Sequence, residues 1–338
     1  MTPSVDELLD SAHVVRIPLR TRFRGVTERE ALLLKGPAGW GEWAPFVEYE
    51  PVEAARWLAA ATEAAWVGWP EPVRDRIPVN ATVPAVAPGE VAGVLARYDG
   101  CRAVKIKVAE PGEGIADDFA RVAAVRDAVG WRSPDGAAAP SIRLDANGGW
   151  SVDQALAALA RLARFGLEYV EQPCATVDEL AELRVTLARA GIDVAIAADE
   201  SIRRADDPLR VAEAQAADLI VVKVAPLGGV RNALRIVEQV GLPAVVSSAL
   251  DTSVGIRAGV ALAAALPELP YACGLATVEL LDGDVCEPRL VPVAGELPVR
   301  EVAPRDELLA RYSAPPERRE WWLARLREAY PHLPESRD

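Results

Sequence analysis

From about residue 79 onward the chain repeats one unit, a short strand-like run followed by a helix-like run with its own start and stop signals. Eight strand-like runs stand in order: VNATV, RAVKIKV, SIRLDA, LEYVE, DVAIAAD, DLIVVKV, PAVVSS and LPYACG. Strands separated by helices pair in parallel, because each helix carries the chain back to the end at which the strand began. Eight such units fit a closed barrel better than an open sheet, and barrels collect their chemistry at the carboxyl ends of the strands. The helix signals keep the same beat. Ser151 with Gln154 and Thr176 with Glu179 are capping boxes, Gly166 and Gly191 stand where those helices should stop, and Asp207 before Pro208 opens the next.

Residues 1–78 follow another pattern. HVVRIPLR, EREALLLKG and a GWGEWAPF turn predict an antiparallel meander, with PVEAARWLAAATEAAW as a helix after it. This is the mark of a separate α+β capping module, joined through the proline-rich EPVRDRIPVN to a barrel spanning 79–290. Past about residue 290 the alternation ends, and ERREWWLARLREAY predicts an amphipathic helix. Its aromatic side either packs back on the small module, so that segment 291–338 completes it, or meets a partner; packing back is the simpler reading. The one low-complexity stretch, WRSPDGAAAP at 131–140, falls on a helix-to-strand loop, at the face opposite the chemistry.

Composition excludes several classes of function. A chain of 338 residues, 51% of them apolar, can bury a large core. Net charge −13 and a pI near 4.9 argue against a nucleic-acid partner, whose phosphates demand a basic face. The N-terminus carries Asp6, Glu7 and Asp10 where a signal peptide would be basic, and no apolar run is long enough for a membrane helix. The expectation is a soluble, cytoplasmic protein with no membrane partner. Cys101, Cys174, Cys273 and Cys286 are scattered without a C-x-x-C pair and read as buried free thiols, not a zinc site. The only histidines, His13 and His332, lie near the two ends, which disfavours a central histidine base.

Three carboxylates, Asp145, Glu171 and Asp199, each end a strand-like run, 26 and 28 residues apart. One such residue alone reads best as a helix cap or an ion-pair partner, whereas three at consecutive strand ends point to a hard divalent ion such as Mg²⁺. Asn147 either supports that cluster or serves a turn. Lys105 and Lys107 lie two apart, so they face one side of their strand, and the flanking valines and isoleucine argue that this side is the interior. Lys223 follows LIVV and is either the opposed amine or a structural ion pair. Arg143 shares the inward parity of Asp145 and is either a pocket residue or a salt bridge to a neighbouring strand.

KIK, LDAN, EQP, ADES and VVKVAPLGG, in this order and spacing, resemble the enolase superfamily and in particular its muconate-lactonizing-enzyme subgroup, over nearly the whole chain. The resemblance implies a (β/α)7β TIM-like barrel under an α+β capping domain. It implies Asp145, Glu171 and Asp199 as ligands of Mg²⁺, with Mn²⁺ a possible substitute, and Lys107 and Lys223 as acid/base lysines on opposite faces of a small carboxylate substrate. Lys105 matches the auxiliary lysine of the K-x-K motif. A mandelate-racemase-type site would require a histidine late in the barrel, and none stands there. GWGEWAPFVEY is similar to the GWGE-x-x-PF-x-E pattern of menaquinone-pathway dehydratases in the subgroup. SSALDTSVG is similar to their seventh-strand loop, which implies that Ser247 and Ser248 hold a substrate carboxylate.

The activity so implied is a Mg²⁺-dependent carbon–oxygen lyase working through an enediolate. The nearest alternative is an N-acylamino-acid racemase or dipeptide epimerase that uses both lysines as alternating bases. The alternative from another class is a non-catalytic barrel that acts as a binding protein. The loop with Arg22, Phe23 and Arg24 belongs to a part of the family that varies, so it either closes over the site or is solvated charge. Oligomeric state does not follow from the sequence.

Overall fold

A computed structural model describes residues 3–23, 25–131, 138–203 and 208–334. Most of the 131–140 stretch, together with Arg24 and the expected helix cap Asp207, lies outside the described residues. After a short helix α1 (Val5–Asp10), the chain forms the meander β1 (Ala12–Phe23), β2 (Val26–Gly36) and β3 (Gly39–Trp43), followed by α2 (Pro51–Thr62). The strands pair antiparallel, with Leu34 opposite both Ala12 and Gly41. In β2 the run ALLL is buried on both faces of the sheet, which is why it reads as a continuous apolar stretch. Leu32 and Leu34 pack with Trp57 and Trp322 on one side, while Ala31 and Leu33 pack with Leu250, Val254 and Leu281 on the other. Gly41 allows the close approach of α2, because a Cβ there would stand 2.0 Å from the Ala61 carbonyl oxygen.

A short strand β4 (Arg76–Pro78) leads into the barrel. Seven parallel strands follow: β5 (Ala81–Val83), β6 (Ala103–Lys107), β7 (Ser141–Asp145), β8 (Leu167–Glu171), β9 (Ala195–Ala198), β10 (Leu219–Lys223) and β11 (Ala244–Ser247), hydrogen-bonded in sequence order. The connecting helices are α3 (Val91–Leu95), α4 (Ile115–Val129), α5 (Val152–Leu162), α6 (Val177–Ala190), α7 (Glu200–Arg203), α8 (Arg210–Glu213), α9 (Val230–Val240) and α10 (Ser253–Ala265). The capping boxes at Ser151 and Thr176 form as the spacing predicts, and Gly166 and Gly191 take left-handed conformations just past their helices. The eighth run, LPYACG, closes the ring through single bridges instead of a full strand: Cys273 pairs with Val79 and Gly274 with Ser247. Along each strand one parity, such as Ile106, Leu144, Val170, Ile196 and Val222, packs outward against the helices. The other parity points into the ring.

The chain ends with β12 (Glu296–Pro298), which pairs with β4, then α11 (Asp306–Arg311) and α12 (Pro316–Ala329). Helix α12 packs back on the small module: Trp322 stacks edge-on against Trp43 at 5.4 Å and donates its indole N–H to Glu30. Among the described residues no helix is long and apolar enough to cross a membrane.

Candidate active site

Strand register brings the charged residues together. Lys107 at the end of β6 pairs with Asp145 at the end of β7, and Asp145 pairs with Glu171 at the end of β8. Lys223 and Ser247 form the matching row on β10 and β11, four strands away around the ring from β6. One residue past the end of β9 stands Asp199. All of these residues are buried, at 8% exposure or less. A buried charge is tolerated only when paired, and here each carboxylate has found a cation.

Lys107 Nζ lies 2.6 Å from Asp145 and also contacts Asn147. Lys105 bridges Asp145 at 3.3 Å and Glu171 at 3.1 Å, and Lys223 pairs with Asp199. Arg203, four residues beyond Asp199 on α7, donates to it at 3.1 Å and reaches the Tyr49 hydroxyl of the capping module at 3.0 Å. Burial alone would raise Asp145, but Lys107 and Lys105 hold it below the usual carboxylate range. Asp199 is held low against burial by Lys223 and Arg203. Glu171 goes the other way, pushed up to about 7 by burial and by the charge of Asp145. Burial lowers Lys105 as well, but Glu171 and Asp145 outweigh it and raise its pKa. Lys223 is lowered, first by burial.

The residues after the ligand candidates are shaped to hold them. Asn147 and Gln172 adopt positive φ, 47° and 39°, an uncommon backbone state that the surrounding contacts must fix. Gln172 accepts the N–H groups of Asp199 and Ser201 through Oε1 and donates to Ser201 and to the Cys174 carbonyl, tying the ends of β8 and β9 together. The donor set fits a hard dication in kind: three carboxylates at neighbouring strand ends, one of them strained by like charge. Beside them Glu200 Oε2 is buried without a hydrogen-bond partner. Among the described residues no three acidic or other ligating side chains already converge on one point, since the lysine amines stand between the carboxylates.

A cavity of ≈ 410 Å³ opens over this cluster, lined by Lys105, Lys107, Asp145, Asn147, Lys223, Ser247 and Ser248 among others. Ser248 Oγ donates to the Gly274 carbonyl at 2.7 Å and meets Thr277 Oγ1 at 2.8 Å. Arg143 does not line this cavity. It lies one layer deeper, in register with Lys105 and Tyr169, where it pairs with Glu168 at 2.5 Å, donates to Asn80 and the Ala272 carbonyl, and stacks 4.8 Å over Tyr169. Its expected pocket role gives way to the salt bridge, because its Nε and Nη1 are engaged at the barrel floor. Phe23, unassigned from sequence, lines the cavity with its ring 5.5 Å from Lys107 Nζ. Thr82, Leu250 and Thr277 also line it, and sequence parity marked none of them; only Thr82, a polar residue inside VNATV, carried a local signal.

Residues 90–304 match the family model of the enolase C-terminal domain-like fold, and residues 14–65 match that of the enolase N-terminal domain-like fold. The chain belongs to the enolase superfamily. It is 60% identical to the o-succinylbenzoate synthase of Thermobifida fusca over 93% of its own length and 94% of that protein's. To the o-succinylbenzoate synthase of Mycolicibacterium smegmatis it is 57% identical over 96% of each chain. Among solved structures, the muconate lactonizing enzyme from Pseudomonas fluorescens superposes with a TM-score of 0.74 at 21% identity, covering 90% of this chain and 98% of that one. The L-Ala-D/L-Glu epimerase from Bacillus subtilis superposes with a TM-score of 0.69 at 24% identity, covering 87% and 96%. These last two likenesses establish the fold.

Proposed function

We propose that the chain is a Mg²⁺-dependent dehydratase that converts 2-succinyl-6-hydroxy-2,4-cyclohexadiene-1-carboxylate to o-succinylbenzoate, a carbon–oxygen lyase step of menaquinone biosynthesis. One observation carries this reading: a single cavity in which Lys107 and Lys223, from opposite sides of the ring, meet Asp145 and the Ser247–Ser248 pair. The near-full-length relatives named for this reaction support it. Mg²⁺ held by Asp145, Glu171 and Asp199 would supply Lewis-acid polarisation of the substrate carboxylate.

Lys107, at its strand end, takes the proton α to that carboxylate. The negative charge that develops there is faced by the Lys223 ammonium, a preorganised donor in a site shielded from water. Lys107 then gives the proton to the departing β-hydroxyl, which leaves as water, and the ring becomes aromatic. Lys105 bridges two carboxylates and orders the cluster without needing to reach the substrate. Ser247 and Ser248 hold a substrate carboxylate, and the Phe23 ring covers Lys107 on the capping side. Four free cysteines suit a reducing cytoplasm.

Direct assay on the cyclohexadiene carboxylate, followed by the absorbance of the aromatic product, tests the reading. Turnover is expected. No turnover, together with rapid exchange of the α-proton of N-acylamino acids or dipeptides into deuterated water, would establish a racemase or epimerase instead.

A further inference from the structure

The loop that follows β11 carries Ser247 and Ser248 into the cavity and then enters α10. It is held from the capping module, not from the barrel alone. Glu42 on β3 accepts hydrogen bonds through Oε2 from Thr252 Oγ1 at 2.5 Å, the Thr252 N–H at 3.2 Å and the Gly255 N–H at 3.0 Å. These N–H groups are among the first of α10, which a helix cannot satisfy internally. Arg29 on β2 donates to the Leu250 carbonyl at 3.0 Å and the Ala249 carbonyl at 3.3 Å. Leu250 sits at φ 66°, a conformation costly for a branched residue unless neighbours impose it. Gly255 is required by the clamp: a Cβ there would lie 2.6 Å from Asp251 Cβ and 3.0 Å from Glu42 Cδ. Glu42 itself does not line the cavity that Lys107 and Asp145 share.

The same device recurs one unit earlier. Glu63, just past α2, accepts from the Val230 N–H at 2.5 Å and the Arg231 N–H at 3.2 Å at the start of α9. Helix α9 and the loop before it contribute no residue to the Lys107 cavity. Both glutamates therefore cap a helix across the module boundary, Glu42 behind the Ser247–Ser248 loop and Glu63, which also pairs with Arg231 at 2.8 Å, behind the loop that follows Lys223.

We propose that Glu42 is a positioning residue for substrate binding: by capping α10 from the capping module it fixes the Ser247–Asp251 loop that faces the substrate carboxylate. This rests on the dehydratase reading for its substrate, but the clamp itself does not. Misplacement of a binding loop by about 1 Å is costly even when no contacting group is changed.

The test compares Glu42→Ala, Glu42→Gln and Glu63→Ala by steady-state kinetics on the cyclohexadiene carboxylate and by amide hydrogen exchange. Glu42→Ala is expected to raise KM about tenfold or more with kcat within about threefold, and to speed exchange at 248–255. Glu42→Gln keeps an acceptor oxygen and should recover most of the KM. Glu63→Ala should lower Tm while KM stays within about twofold. If Glu42→Ala does not fold, Gly255→Ala, whose methyl would press on Asp251 and on Glu42, disturbs the same clamp and should raise KM alike. An unchanged KM, or equal rises in Glu42→Ala and Glu63→Ala, overturns the proposal. Wild-type protein that does not turn over the substrate overturns the dehydratase reading, and the exchange data then still decide whether Glu42 holds the loop.

Discussion

Two sets of shielded carboxylates divide this molecule. At the barrel mouth Asp145, Glu171 and Asp199 face side-chain cations, Lys107, Lys105, Lys223 and Arg203. At the seam with the capping module Glu42, Glu63 and Asp284 face backbone N–H groups that open α10 and α9, and Glu63 also pairs with Arg231 at 2.8 Å. A flexible ammonium can move aside for a dication and a substrate, whereas a helix terminus cannot. The mouth is thus arranged for exchange of partners and the seam for permanence. The electrostatics differ in the same sense: Asp145 and Asp199 are held low by their cations, while burial pushes Glu42, Asp251 and Asp284 up. Glu171 is the exception at the mouth, raised by burial and by Asp145, and it is the carboxylate that would gain most from a second positive charge.

The contrast can be broken most sharply at Lys107. Lys107→Ala should lower the dehydration rate at least ~10³-fold with the circular dichroism unchanged, the scale of a lost acid/base group. A near-normal rate would remove the chemistry from the mouth. Lys105→Ala should cost less, about 10²-fold, because it orders carboxylates instead of moving the proton. Equal losses at both lysines would erase that distinction. Arg203→Ala should weaken Mg²⁺ affinity by about 10- to 100-fold in calorimetry, as loss of a group that orients a ligand does. Unchanged affinity would mean that Asp199 needs no support from the guanidinium.

The smallest effect lies at the seam. Burial, then repulsion from Asp251, raises Glu42 to about 8, opposed by the Thr252 hydrogen bonds and Arg29. A carboxyl raised on folding favours the native state fully below its unfolded pKa, near 4.5, and that contribution is lost as pH rises through about 8. Glu42→Gln removes this dependence. Between pH 5 and 8.5 its Tm should therefore gain on the wild type by about 3 °C. A gap that stays constant over this range would show that Glu42 is charged in the folded protein throughout.

Parity along short strands made much of the mouth legible in the sequence. Lys105 and Lys107, and the acids that end three successive runs, had to share the interior once the runs were strands of one ring. Parity does not give depth. Arg143 has the inward parity of Asp145, yet Glu168, Asn80 and the Ala272 carbonyl draw it to the floor, while the long stem of Lys105 in the same layer reaches up to Asp145. The eighth strand was visible as an apolar run but closes the ring by single bridges. The seam left no local trace, because Glu42 meets Thr252 across 210 positions and Arg29 meets Leu250 across 221. Neither pairing produces a periodicity, and Glu42 shows in sequence as the acid of the GWGE motif, with nothing there to name its partner. Phe23 was in view, but nothing in its neighbourhood tied it to Lys107.

Stripping divalent ions with a chelator and restoring Mg²⁺, while following aromatisation of the cyclohexadiene carboxylate, tests the central assignment most directly. The rate should fall at least ~10³-fold and return on adding Mg²⁺, as expected when a bound dication carries the electrostatic stabilisation. A rate indifferent to both steps would contradict the assignment of Asp145, Glu171 and Asp199 as a catalytic metal site.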